Sequence, residues 1–345
     1  MCTAVTYEGM NFYFGRNLDL DVSFNEKVTI TPRQFEFRFR NEAAIKSHWA
    51  MIGMAAVIDN YPLYYDAMNE KGLCMAGLNF PGNACYLSRK EGMENIAPFE
   101  FIPFILGNCS SVEEAVAVLK NTILINEPFN DFLPLAPLHW IISDQKRSIV
   151  VEPMSHGLKI FDNPVGVLTN NPTFDYHLTN LNNYLNLTSA PPNNRFSGKV
   201  DLSVSSIGMG SIGLPGDLSS PSRFVRAAFT KANATEETDE GSEVAQFFHI
   251  LDAVAFTKGC AVTEDGREEL TIYSACMNTQ KGIYYYKTYS NNQISAVYFY
   301  CKALSQRRGS FWIAGNFKQV TLQKLVPALW LTGQQLTSQL FDQSG

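Results

Sequence analysis

Residues 2–90 contain a succession of short segments rich in β-branched and aromatic residues. Turn formers separate these segments at Gly9, Pro32, Gly53, Pro62, Gly72 and Gly82. Runs of roughly four to eight such residues between turn formers are typical of β-strands. The pattern therefore predicts that the chain folds around a multi-stranded sheet.

Helical signals interrupt this pattern after residue 97. Pro98 can open a helix that Gly107 ends, and Ser111-Val112-Glu113-Glu114 is a capping box before a second helix. Further segments read as strands at 138–143, 148–152 and 158–161, as helices at 174–185, 222–232 and 243–255, and as strands again at 271–277, 282–288 and 294–300. This alternation predicts a layered α+β fold.

The composition excludes several classes of function. The chain has 345 residues and a net charge of −6, and it lacks a basic stripe, so we expect no nucleic-acid partner. Its apolar tracts are shorter than the roughly 20 residues of a membrane-spanning helix, so no membrane partner is expected. There is no nucleotide-binding glycine motif and no paired histidine spacing, so we expect no cofactor and no metal.

The cysteines form an odd set of seven without a C-x-x-C pair. Such a set favours neither a disulfide framework nor a zinc ribbon. The first 21 residues are too polar for a secretory signal. The sequence therefore predicts a reduced, cytoplasmic protein.

Cys2 is the residue with the clearest chemical potential. If Met1 is removed, the α-amine of Cys2 lies beside its own thiol and can accept the thiol proton near neutral pH. Nucleophile and base would then share one residue. The alternative is an ordinary cysteine near the start of the chain.

A hairpin is predicted around Glu8-Gly9-Met10, with Gly9 available for a positive φ. Pairing about residue 9 would place Cys2 opposite Arg16, whose guanidinium would favour the thiolate. Asp19 could then reach the α-ammonium. The alternative for Arg16 and Asp19 is a surface salt bridge.

Several motifs occur in a fixed order: Met1-Cys2-Thr3, Phe14-Gly15-Arg16-Asn17-Leu18-Asp19, Asn69-Glu70-Lys71-Gly72-Leu73, Gly77-Leu78-Asn79-Phe80-Pro81-Gly82, Leu168-Thr169-Asn170-Asn171-Pro172-Thr173-Phe174, and Leu214-Pro215-Gly216-Asp217 with Ser220-Pro221-Ser222-Arg223-Phe224. In this order they resemble the choloylglycine hydrolases, and more narrowly the bile salt hydrolases of Gram-positive gut bacteria. The resemblance runs from Met1 to about Tyr300.

The resemblance implies an N-terminal-nucleophile hydrolase fold of four αββα layers, with two antiparallel sheets between helical layers and no cofactor. It implies hydrolysis of the amide that joins a bile acid to glycine or taurine. It also implies a homotetramer, with residues 189–220 as a protruding assembly loop.

The same resemblance implies roles for individual residues. Cys2 is the expected nucleophile, Arg16 and Asp19 hold the thiol and amine, and Arg223 completes the polar cluster. Asn79 and Asn170 are expected in the oxyanion hole, with Asn170 preferred over Asn171 because of its place in the motif. Side-chain amides can donate to an oxyanion without adding charge.

The sequence says less about which residues would bind the substrate. The apolar side chains that could contact a steroid are Leu18, Leu20, Tyr61 and Phe80, although core or rim packing would explain them equally well. Penicillin V acylases are the nearest alternative, but they often carry Tyr where this chain has Asn79. A steroid-binding protein without turnover is the other alternative, and it would arise if Met1 were retained.

The last 45 residues differ from the rest. They carry a net charge of +4, against −10 for residues 1–300, and the resemblance fades there. We therefore expect one domain over residues 1–300 and an atypical, poorly ordered extension over residues 301–345.

Overall fold

A computed structural model describes residues 1–299, 312–313 and 320–321 of the protein. Within these residues the chain forms two large antiparallel sheets. The first sheet contains, in spatial order, β12 (Val167–Leu168), β1 (Cys2–Glu8), β2 (Phe12–Leu20), β13 (Leu270–Asn278), β14 (Ile283–Thr288), β15 (Asn291–Tyr298) and β17 (Val320–Thr321). The second contains β11 (Gly157–Asp162), β10 (Ser148–Met154), β9 (Leu138–Ser143), β6 (Cys74–Asn79), β5 (Tyr61–Asn69), β4 (Met51–Ile58), β3 (Lys27–Thr31) and β16 (Trp312–Ile313).

Five α-helices lie within the described part of the chain: α1 (Phe101–Asn108), α2 (Val112–Leu119), α3 (Phe174–Asn180), α4 (Ser220–Asn233) and α5 (Glu240–Asp252). Short 3₁₀ turns occur at Pro98–Glu100, Leu181–Tyr184 and Met209–Ser211. A small parallel pair, β7 (Glu94–Ile96) and β8 (Thr122–Leu124), completes the secondary structure of these residues. None of the described helices is long and apolar enough to cross a membrane.

The contacts between helices and strands show how the elements are arranged in layers. Helices α4 and α5 pack on the first sheet, α1 packs on β5 and β6 of the second, and β1 and β2 contact β6 between the sheets. The order is therefore helix, sheet, sheet, helix, which confirms the predicted four-layer αββα fold. Strands covered on both faces are buried along their length, as in β1, where every residue but Glu8 is buried.

The predicted start of α2 is confirmed. The Ser111 side chain accepts a hydrogen bond from the backbone N–H of Glu114 at 3.2 Å, which satisfies one free donor of the first turn. The Glu114 carboxylate accepts from the backbone and hydroxyl of Ser110 instead of returning to Ser111.

Some predicted boundaries were wrong by a few residues. The last predicted strand, 294–300, is β15 and begins at Asn291, because Asn291 pairs with Thr288 across a short turn. The helix predicted over 174–185 becomes a 3₁₀ turn from Leu181. The predicted extension over residues 301–345 lies outside the described residues except for β16 and β17.

The predicted register of the first hairpin was wrong. Cys2 pairs with Leu18, and Arg16 pairs with Ala4, so the pairing is displaced by two residues from the expected one. Glu8 and Phe12 close the loop, which is Gly9-Met10-Asn11 instead of Glu8-Gly9-Met10.

A distant carboxylate on α5 determines this register. Glu243 accepts hydrogen bonds from the backbone N–H of Met10 and from Asn11 Nδ2, the latter at 3.2 Å. Gly9 does not adopt a positive φ. A Cβ at this position would lie 2.1 Å from Glu243 Oε1, so a larger residue would displace the carboxylate from its contacts with the loop.

Candidate active site

Cys2 is the first residue of β1, and it is 2% exposed. Its side chain borders a cavity at the junction of the two sheets. Its backbone N–H donates to Asn170 Oδ1 at 2.8 Å. In the presence of Met1 this nitrogen belongs to a peptide bond. It would become the α-amine once Met1 is removed, and Asn170 already fixes its position.

Met1 is held by its own contacts. Its ammonium donates to the backbone oxygen of Asp19 at 2.6 Å and to Glu269 Oε1 at 3.1 Å. The Asp19 backbone N–H donates back to the Met1 carbonyl at 3.0 Å. Met1 therefore extends the hairpin by one residue.

Arg16 reaches Cys2 diagonally and not from the opposite position. Opposed residues of antiparallel strands share a face, so Arg16, paired with Ala4, lies on the same face as Cys2. Its fully buried guanidinium crosses to the second sheet, where Nη1 donates to Tyr65 O at 3.1 Å and Gly77 O at 2.6 Å. Nη2 has no partner among the described residues.

Arg16 stays charged in this interior. Burial opposes the charge, but the neighbouring Cys2 thiol, the Tyr273 phenol and the carboxylates of Asp66 and Asp19 raise the pKa of Arg16 above its ordinary value. A cation beside a thiol favours the thiolate.

Asp19 lies at the end of β2 and is fully buried. Its Oδ1 accepts from the Thr271 hydroxyl at 2.6 Å, and its Oδ2 has no partner among the described residues. Burial raises the pKa of Asp19, while the charge of Arg223 and the N-terminal amine oppose that rise. The predicted contact joins Asp19 to the ammonium of Cys2. Here Cys2 carries a peptide nitrogen, and it is the Met1 ammonium that donates to the Asp19 backbone oxygen.

Asn170 is the centre of a buried hydrogen-bond network. Its Oδ1 accepts from the Cys2 backbone and from Arg223 Nη2 at 2.7 Å, while its Nδ2 donates to Asn79 O at 2.7 Å. Two obligatory donors on Oδ1 fix the orientation of the amide. One N–H of Asn170 remains for another acceptor.

Arg223 comes from α4 and is fully buried. Its Nη1 donates to Cys2 O at 2.5 Å and to Thr3 Oγ1 at 2.7 Å. The side chains of Asn170 and Arg223 therefore meet each other and the backbone of Cys2 in one cluster.

Two buried histidines contact the backbone of the segment that carries Asn170. His177 Nε2 contacts the backbone oxygen of Asn170 at 2.9 Å, and His139 Nε2 contacts that of Thr169 at 3.0 Å. Burial lowers the pKa of His177 to about 4. Sequence reasoning assigned both to packing or surface and missed this support, because contacts to main-chain oxygens leave no motif.

Asn79 ends β6 and borders the cavity beside Cys2. In the part of the chain described here, its side-chain amide has no hydrogen-bond partner. It is free to donate into the cavity.

The cavity has a volume of about 630 Å³. Leu18 and Leu20 lie on its wall as expected. Most of the remaining wall is apolar and comes from loops, strands and the first turn of α1: Phe24, Ile58, Leu63, Phe99, Ile102, Phe129, Phe132, Leu133 and Leu135. Of the described residues on this wall, Arg16 alone is cationic.

Tyr61 and Phe80 correct the prediction, since neither lines the cavity. Tyr61 packs edge-on against Phe37 and Phe99. Phe80 is fully buried and stacks on His139 with 4.2 Å between ring centroids. Residues 129–138 supply much of the wall instead, and sequence reasoning missed them. The sequence feature that could have identified them is an apolar, proline-containing loop between β8 and β9.

Among the described residues there is no group of three or more His, Cys, Asp or Glu side chains that could hold a metal ion. The six cysteines that the structure describes are free.

Comparison with known proteins gives a consistent result. The family model for linear amide C–N hydrolases of the choloylglycine hydrolase family matches residues 2–309. A bile salt hydrolase/transferase from Lactiplantibacillus plantarum is 56% identical over 297 residues, covering 86% of this chain and 92% of that protein.

Two solved structures share the fold. A mutant conjugated bile acid hydrolase from Clostridium perfringens superposes with a TM-score of 0.84 at 39% identity, over 91% of this chain and 96% of that one. Penicillin V acylase from Agrobacterium tumefaciens gives a TM-score of 0.71 at 21% identity, over 90% of each chain.

Proposed function

Because the chain belongs to the choloylglycine hydrolase family of linear amide C–N hydrolases, we propose that it hydrolyses the amide bond of glycine- or taurine-conjugated bile acids. One observation supports this most: Cys2, with its nitrogen fixed by Asn170, borders a large apolar cavity. Such a cavity suits a steroid, and the nucleophile on its wall suits an amide. The similarity to proteins named as bile salt hydrolases supports the substrate class.

The reaction starts after Met1 is removed. The neutral α-amine of Cys2 takes the thiol proton, and Arg16 stabilises the thiolate. Sγ forms a bond to the amide carbon, and the carbonyl electron pair moves to oxygen. Asn79 Nδ2 and the remaining N–H of Asn170 are the proposed donors to that oxyanion.

Collapse of the tetrahedral intermediate breaks the C–N bond. The leaving amine takes the proton from the α-ammonium, which leaves a thioester on Cys2. A water molecule then loses a proton to the α-amine and attacks the thioester, so that the free bile acid leaves and the thiol is restored. Asp19 and Arg223 position the amine and the first residues of β1 throughout.

Transfer to an amine is a second proposed outcome of the same thioester. The relative from L. plantarum is named a hydrolase/transferase, and an amine can replace water as the attacking group without another residue. Adding a primary amine such as glycine during taurocholate turnover should then yield glycine conjugate beside free cholate.

Penicillin V hydrolysis is the competing function. The test compares kcat/KM for taurocholate, glycocholate and penicillin V on the processed enzyme. We predict that the bile salts are preferred, because Asn79 occupies the position where penicillin V acylases often carry Tyr. A preference for penicillin V would overturn the proposal.

The variant Asn79→Tyr sharpens this test. We predict that its taurocholate to penicillin V ratio of kcat/KM falls by about tenfold. Asn171→Ala is the matched control, because Asn171 donates to Pro81 O outside the cavity. An unchanged ratio in Asn79→Tyr would remove Asn79 as a specificity determinant.

We further propose that the enzyme works in the cytoplasm as a homotetramer. Free cysteines support a reducing compartment. Exposed apolar side chains in the 189–220 segment, such as Phe196 and Ile207, support its role as an assembly loop. Light scattering of the purified enzyme tests the subunit number, and a monomer would contradict it.

A further inference from the structure

A second polar cluster lies between the sheets next to the candidate site. Asp66 on β5 is fully buried. Its Oδ2 accepts from the Tyr273 hydroxyl at 2.5 Å, and its Oδ1 accepts from the Tyr284 hydroxyl at 2.7 Å. Both tyrosines come from the first sheet, so the cluster bridges the two sheets. The proposed reaction uses none of these three residues.

Arg16 connects this cluster to Cys2. Its Nη1 donates to the backbone oxygens of Tyr65, which precedes Asp66, and of Gly77, whose neighbour Ala76 pairs with Asp66. The guanidinium therefore ends beside the strand segment that carries Asp66. Its charge interacts with both the Cys2 thiol and the Asp66 carboxylate.

Among the described residues, few charged groups interact with the Asp66 carboxylate. Burial raises the pKa of Asp66, whereas Arg16, both tyrosine hydroxyls and the backbone N–H of Met54 oppose that rise. Cys74 on β6 also faces the carboxylate, and burial raises the pKa of Cys74 well above its ordinary value. Among the described residues, the charged groups that interact with Cys2 are Arg16 and Arg223. Arg16 is thus the cation common to both sites.

We propose that Asp66 is a positioning residue that governs, through Arg16, how readily the Cys2 thiol loses its proton. The proposal rests on the proposed role of Cys2 as nucleophile. An ionised Asp66 offsets part of the charge of Arg16, so the thiolate gains less from that cation. Tyr273 and Tyr284 stabilise the ionised carboxylate by donating to it.

The experiment measures alkylation of Cys2 by iodoacetamide from about pH 5 to 9, because only the thiolate reacts. The processed enzyme is compared with Asp66→Asn, and peptide mass spectrometry follows Cys2. The exposed Cys260 serves as a reference in the same sample. We expect the Cys2 midpoint of Asp66→Asn to fall by about one pH unit, since a nearby opposite charge shifts a pKa by about this much.

Two further variants separate this effect from general loosening of the core. Tyr284→Phe removes one donor to Asp66 and should shift the Cys2 midpoint in the same direction by a smaller amount. Tyr13→Phe removes a similar buried bond, 2.7 Å to Glu243 Oε2, and neither residue borders the cavity that Cys2 lines. It should leave the midpoint unchanged.

An unchanged Cys2 midpoint in Asp66→Asn would overturn the inference, and so would an equal shift in Tyr13→Phe. If Asp66→Asn does not fold, Tyr284→Phe decides, and no shift there overturns it. The readout needs no bile salt. Failure to hydrolyse taurocholate with a shifted midpoint would therefore overturn the proposed function alone.

Discussion

Asn170 makes more contacts within the candidate site than its place in the sequence motif indicated. One amide accepts from the Cys2 backbone and from Arg223 while it donates to Asn79 O. Removing it would leave buried donors unsatisfied, which costs roughly 1–3 kcal/mol each. His177 and His139 fix the backbone of the same segment, so the position of the Cys2 nitrogen depends on residues that never touch it.

His177 makes the stability of the enzyme depend on pH. Its folded-state pKa, about 4, lies below its unfolded value, so the unfolded chain binds more protons between these values. The free energy of unfolding should therefore fall by about 2 kcal/mol between pH 6.5 and 4.5 from this residue.

Guanidinium unfolding of the protein and of His177→Gln at both pH values measures this contribution. The difference in unfolding free energy between the two proteins should change by about 2 kcal/mol, because other histidines cancel. A constant difference would show that His177 does not titrate as described.

At the scale of single residues, the sequence predicted which residues lie close together. It did not predict the strand register that brings them there. The motifs placed Cys2, Asn170 and Arg223 together correctly. The direct pairing of Cys2 with Arg16 was wrong, because Glu243, more than 200 residues away, determines the hairpin loop. Tyr61 and Phe80 were misplaced because an aromatic residue suits a core and a cavity wall equally well.

At the scale of elements, the close approach of β2 and β13 positions the site. Gly15 permits it, since a Cβ there would lie 1.9 Å from the backbone oxygen of Ala275. Because a backbone atom cannot move aside cheaply, Gly15→Ala should destabilise the protein by about 3 kcal/mol or more.

Chemical denaturation of Gly15→Ala measures that loss. Gly198→Ala is the matched control, because nothing lies within 4 Å of a Cβ at that position, and its stability should be unchanged. Equal stability of Gly15→Ala and the unmodified protein would show that β2 and β13 are farther apart than described.

Most elements could be predicted from local signals. Ser111 marks the start of α2, and β9 lies where its apolar run indicated. The loop at 129–138 could not be assigned, because its apolar residues have neither helical nor strand periodicity. Its role comes from packing over a cavity that only the assembled sheets create.

At the scale of the molecule, residues 1–299 form the four layers, and two short strands extend the sheet edges. Trp312–Ile313 extends the second sheet beside β3, and Val320–Thr321 extends the first beside β15. We propose that residues 1–300 are one domain that does not depend on the rest.

Truncation after Leu304 tests this proposal. Two edge strands of two residues each should contribute little, so the melting temperature, amidase activity and subunit assembly should stay close to those of the full chain. A loss of several degrees or of assembly would show that the extension is part of the fold.

The central claim is that Cys2, freed of Met1, is the nucleophile of a bile salt amidase. The most direct test is the rate of taurocholate hydrolysis by the processed enzyme and by Cys2→Ala, with equal melting temperatures as the control for folding. We predict a fall of at least about 10³-fold in kcat, because no other described residue on the cavity wall has a thiol that could form the thioester. A Cys2→Ala enzyme that retained a substantial fraction of the rate would contradict the account.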